Sequence, residues 1–138
     1  MLKLVLDANT IISAFLWEGN EAELFRKIEN KKAELYSSFE IVKEIEDVLK
    51  RAKFKELIIK SGLTIEEIMQ KIISLSNMAF GKKLTINACR DCNDNKILEC
   101  AKLAGADIIV SGDEDLLVLK EFEGIKILNT KEVLKILK

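Results

Sequence analysis

Histidine is absent from the 138 residues, and so is proline. Without histidine the chain lacks the usual general base of serine and cysteine hydrolases and the commonest protein ligand of zinc, copper and non-haem iron. Any chemistry here must run on carboxylates, amides, hydroxyls and lysines. Cysteine is scarce: Cys89, Cys92 and Cys100 are the three thiols. An odd number in a chain without an export signal points to reduced thiols rather than a disulfide framework. No apolar run approaches the length of a membrane span. Met1 leads directly into the strand-like "LKLVLD", with no basic segment, apolar stretch and small-residue cleavage site, so the expectation is a cytoplasmic protein. Excess charge is also missing. With 22 basic and 23 acidic residues the net charge is -1, which leaves no global field to draw in a polyanion, and any grip on nucleic acid must be local. The missing proline accompanies a richness in Lys, Glu and Ile that thermophily and an A+T-rich genome produce alike.

What is present describes one domain. A hydrophobic fraction of 49% beside 33% charged residues gives a dense core and a charged skin, and the length suffices to bury that core without disulfide or metal staples. Apolar runs of strand length recur at 2–6, 33–36, 83–86, 107–110 and 125–128, the first and fourth nearly continuous in Leu, Val and Ile. Helical spacing fills 20–29, 38–52, 64–78, 94–104, 113–121 and 130–137. "SGLT" at 61–64 ends one helix and caps the next, with Thr64 and Glu67 in capping-box spacing. Strands alternating with helices predict an α/β domain with a parallel sheet.

In such a sheet the right-handed crossovers bring the strand-to-helix loops to the carboxyl edge, where ligands bind near the topological switch point. Asp7 ends the first strand, Asp94 follows the third after a loop, and Asp113 and Asp115 follow the fourth in "SGDEDLL", while Glu44 lies in the helix after the second. Each acid alone has an ordinary reading. Asp7 suits a turn or cap, and Asp94 and Asp113 suit helix N-caps. Together, several carboxylates at one edge repel one another unless a cation or bound protons offset the charge. Oxygen ligands without histidine or a full thiolate set suit Mg²⁺ or Mn²⁺. Asn9 and Ser111 stand where they can orient ligands or waters.

The helix at 38–52 offers Glu40, Glu44, Glu46 and Asp47. At 100° per residue, Glu44 and Glu46 flank its apolar face on opposite sides and Asp47 faces away, so geometry leaves two choices. Cys89 and Cys92 have the CxxC spacing of zinc sites, but with only Cys100 beyond them they fall short of four ligands and read as incidental. Lys50, Arg51 and Lys53 in "KRAKFK", with Lys82, Lys83 and Arg90, supply local positive charge, either solvated surface or contacts to a phosphate backbone.

The segments "LVLDANTIISAFL", "SSFEIVKEIEDVL" and "RDCNDNKILECAKLAGADIIVSGDEDLLVL", in that order, resemble the PIN domain family of metal-dependent nucleases, which includes toxins of prokaryotic toxin-antitoxin pairs. The resemblance spans nearly the whole chain. It implies a three-layer α/β/α fold around a five-stranded parallel sheet of order 3-2-1-4-5. It implies a catalytic set of Asp7, Glu44, Asp94 and Asp113, choosing Glu44 over Glu46, with Asp115 as a further ligand, an outer partner or a helix cap. Cys92 departs from the proline that similar sequences often carry in that loop. The implied activity is Mg²⁺- or Mn²⁺-dependent cleavage of single-stranded RNA, frequently by a homodimer and with an antitoxin as partner; apolar helix surface at 57–80 could serve the dimer. Two rival expectations stand beside it. One is a haloacid-dehalogenase-like phosphotransferase with Asp7 as nucleophile, in which Asn9 occupies the place of the usual acid/base aspartate. The other is a non-catalytic module that binds RNA or protein.

Overall fold

Lys3–Leu6 forms strand β1, and its last three residues are buried, as an uninterrupted apolar run at the centre of a sheet requires. The computed structural model describes residues 1–81 and 92–137, the side chains of residues 92–94 excepted. Around β1 lie β2 (Glu34–Ser37), β3 (Ser76–Met78), β4 (Ile108–Val110), β5 (Glu121–Phe122) and β6 (Ile125–Leu128), in the order β3-β2-β1-β4-β6-β5. All pairings are parallel except the one between β5 and β6. The expected order 3-2-1-4-5 is therefore present, with β6 as the fifth parallel strand and β5 as an added antiparallel edge.

Helices α1 (Ala8–Leu16), α2 (Asn20–Glu29), α3 (Phe39–Leu49), α4 (Lys55–Ser61), α5 (Ile65–Leu75), α6 (Cys92–Ala104), α7 (Glu114–Leu117) and α8 (Thr130–Ile136) pack around the sheet. Leu4, Leu6, Ile11, Leu35, Ile41, Ile45, Leu98 and Ile109 are fully buried at its centre. The Thr64–Glu67 capping box opens α5 as the spacing predicts, and Gly62, at a left-handed φ of 78°, ends α4.

Two expectations need correction. The strand expected at 83–86 lies outside the described residues, and the corrections concern the helices expected at 64–78 and 113–121. The strand that pairs with β2 is Ser76–Met78, cut from the end of the predicted helix 64–78. Its residues have no apolar alternation; side-chain bonds turn the chain there, Ser76 Oγ donating to the Ile72 carbonyl (2.6 Å) and Asn77 Nδ2 to the Leu35 carbonyl (3.1 Å). The helix predicted at 113–121 stops at Leu117. Lys120 takes a left-handed φ of 64°, and Glu123 and Gly124 follow at 47° and 85°, so the chain reverses into the β5–β6 hairpin instead of continuing helically.

The strand order places the topological switch between β1 and β4. From β1 the chain winds through β2 to β3 on one side, then returns to β4 and β6 on the other. The ends of β1, β4 and β6 are thus neighbours, whichever residues the sequence happens to put there.

Candidate active site

Asp7 leaves β1 and caps α1. Its Oδ1 accepts a hydrogen bond from the Thr10 backbone N–H at 2.9 Å, and its own N–H donates to the Val110 carbonyl at 3.1 Å, which fixes it beside the end of β4. Ser111, wholly buried, donates its hydroxyl to Asp7 Oδ2 at 2.5 Å and accepts the Asp113 N–H at 2.9 Å. Asp113 in turn caps α7, its Oδ1 accepting the Asp115 N–H at 2.9 Å. A chain of hydrogen bonds therefore runs from Asp113 through Ser111 to Asp7. It joins residues 104 apart in sequence.

Asp7 and Asp113 open into one cleft of about 460 Å³, lined also by Asn9, Thr10, Ser13 and Gly112. A further wall comes from the start of α2, with Asn20 and Glu21, and from Asn129, Thr130 and Lys131 after β6. Sequence reasoning missed that wall. The rule that singled out Asp7 and Asp113, polar residues where a buried strand ends, applies equally to Asn129–Lys131, but these carry no carboxylate to mark them. Nothing in the pattern of Asn20 and Glu21 marks them.

The other candidates fall elsewhere. Glu44 is half-buried and lines a separate depression with Phe39, Lys43, Arg51 and Lys96, its carboxylate 3.8 Å from Lys96 Nζ. Glu46, its rival on the helical wheel, pairs with Lys50 on the surface of α3 at 3.9 Å. Asp94 belongs to the first turn of α6, with its side chain outside the described residues. The Glu44–Lys96 pair nevertheless ties the beginning of that helix to α3. Asp115 is not among the residues lining the cleft. Of the proposed backbone contacts, Lys50 is engaged by Glu46, Lys53 lies over the Phe54 ring at 5.1 Å, Arg51 borders the Glu44 depression, and Arg90 is outside the described residues.

The donor chemistry of the cleft suits a hard divalent cation, since its lining offers carboxylate, hydroxyl and amide oxygens and neither thiol nor imidazole. Among the described residues no three His, Cys, Asp or Glu side chains come together as a metal-holding group. Asp7 and Asp113 are two acids of such a set, and each of their bonded oxygens keeps a further lone pair.

Cys100 lies apart from this chemistry, buried in α6. Burial pushes its thiol from the ordinary 9.0 up to about 12, against the lowering effect of a hydrogen bond with Ser38. The folded chain therefore keeps the proton while the unfolded chain releases it above pH 9, so the stabilisation is present below that pH and is lost as pH rises toward 12. In a Cys89→Ser/Cys92→Ser background, urea unfolding at pH 9 and pH 10 should show a fall about 1 kcal/mol larger than in the same chain with Cys100→Ala. Equal falls would mean the thiol titrates normally in the fold. Cys89 and the side chain of Cys92 lie outside the described residues.

Comparison with known proteins agrees with this architecture. A sequence profile described as PIN domain matches residues 3–115. An uncharacterized protein of Methanocaldococcus jannaschii is 31% identical over 121 residues, spanning 87% of this chain and 76% of its own length. Among the described residues no helix is long and apolar enough to cross a membrane.

Proposed function

Because this chain belongs to the PIN domain family, whose members are generally nucleases that typically use divalent metal ions, we propose that it is a Mg²⁺- or Mn²⁺-dependent endoribonuclease acting on single-stranded RNA. The observation that carries the reading is the convergence of Asp7 and Asp113 at the switch between β1 and β4, tied through Ser111 and opening into one cleft. Asp7, Asp94 and Asp113 would hold the metal, which when bound supplies a nucleophile at neutral pH by acidifying water and offsets charge developing on the phosphodiester.

The chain's own residues do the positioning. Thr10 N–H and Ser111 O–H hold the two oxygens of Asp7, so its carboxylate cannot rotate away from the cleft. Asp115 N–H does the same for one oxygen of Asp113. Asn9, exposed at the cleft beside Asp7, is placed to orient water or a phosphate oxygen. Glu44 is the fourth carboxylate that the family resemblance implies; it lines a separate depression, paired with Lys96. In a toxin-antitoxin pair, an antitoxin would present a basic residue to the same acidic cleft, and copurification from the native cell would reveal it.

The direct test is incubation of a mixed single-stranded RNA pool with purified protein in Mg²⁺, Mn²⁺ or EDTA, beside an Asp94→Asn/Asp113→Asn variant. Cuts that need metal and vanish in the variant are expected. Cuts that persist in EDTA or in the variant, or a folded parent that never cuts, would overturn the proposal.

A further inference from the structure

We infer that Lys131 is a positioning residue that grips a phosphodiester of the RNA strand and seats it across the acidic cleft; this rests on the nuclease reading above. The cleft lining contains three acids, Asp7, Glu21 and Asp113, and one cation, Lys131. That imbalance opposes entry of a polyanion. A divalent ion held by Asp7 and Asp113 would offset part of it, and Lys131 is the one cation among the described residues lining the cleft that can meet a phosphate.

Two features fit Lys131 for that task. It forms no ion pair among the described residues, so a phosphate would not have to displace an acid from it. Its backbone is also fixed. Asn129 and Glu132 bond reciprocally across it, Asn129 Oδ1 accepting the Glu132 N–H at 2.9 Å and Glu132 Oε1 accepting the Asn129 N–H at 3.0 Å, while neighbouring Thr130 is buried. The flexible part is the side chain alone, a point charge on a four-carbon stem that follows a moving backbone phosphate more readily than a fixed fork would. Lys131 lies outside residues 3–115 matched by the family profile.

The test is fluorescence anisotropy of a labelled short single-stranded RNA in Ca²⁺ over a series of salt concentrations, for the parent, Lys131→Ala, Lys131→Gln and Lys131→Arg, with cleavage of the same RNA in Mg²⁺ measured in parallel. Lys131→Ala should weaken binding about tenfold at low salt and make the slope of log affinity against log salt shallower by roughly 0.7, the value of one released counterion on a single strand. Lys131→Arg should preserve the slope. A parent that cuts RNA while Lys131→Ala keeps its affinity and slope would overturn the role of Lys131 and leave the nuclease reading standing. Recovery by Lys131→Gln would assign the effect to size rather than charge, with the same consequence. A parent that neither binds nor cuts RNA would remove both.

Discussion

Replacing Asp7 by Asn should abolish cleavage while leaving the fold intact. Asparagine caps helices about as well as aspartate, so its Oδ1 can keep the bond from Thr10 N–H that opens α1. At the other position the amide donates where the carboxylate accepted. Ser111 Oγ can accept that bond, but only by turning its own proton elsewhere, since it already receives the Asp113 N–H. The charge is lost as well. Outer partners of a metal ligand typically change activity by 10- to 100-fold, so loss of a direct ligand should cost roughly a thousandfold or more in kcat, with Tm moving by only a few degrees. Single-turnover cleavage and a melting curve of the same preparation check both halves. Substantial residual activity in a folded Asp7→Asn protein would remove Asp7 from the reaction.

The second large effect concerns Ser111, which touches no solvent. Ser111→Ala deletes the hydroxyl between Asp7 and Asp113, leaving a carboxylate oxygen without its donor and a backbone N–H without its acceptor. Unmet polar groups of this kind cost about 1–3 kcal/mol when buried. Activity should fall by roughly 10- to 100-fold, as for other partners that orient a metal ligand. Saturating metal should not restore it fully, because the defect is in where Asp7 points. Rates measured across a metal titration, together with urea unfolding, separate the two contributions. Full recovery at high metal would show that Ser111 serves affinity alone.

The sequence made β1 and β4 legible because a buried parallel strand writes itself as a short run of Leu, Val and Ile, and β2 and β6 legible as apolar stretches of strand length between helical patterns. The same logic places Asp7 and Asp113 at one edge from the sequence alone. It failed where pairing is decided by contacts distant in sequence. Ser76–Met78 became a strand through its pairing with β2, not through its own composition. The early end of α7 depends on left-handed backbone at Lys120 and Glu123, residues whose types give little warning of it. For Glu44 and Glu46, helical geometry left a tie; Glu46 pairs locally with Lys50 at the end of its own helix, whereas the Lys96 partner of Glu44 arises only once α6 is in place. Lys131 was missed for a chemical reason, since it is neither an acid nor part of a marked basic cluster.

The first strand of the chain is an inner strand of the sheet, and this sets an order of events during synthesis. On the ribosome, Asp7 emerges before residues 108–113 and then 125–131, and until they follow its neighbours do not exist. Pairings this distant in sequence form slowly. A nascent chain that stops short of β4 therefore carries its first acid without Ser111, without Asp113 and without the wall that bears Lys131. The cleft is completed only once residues 125–131 have been made and β6 has paired with β4, so its walls come together late in folding.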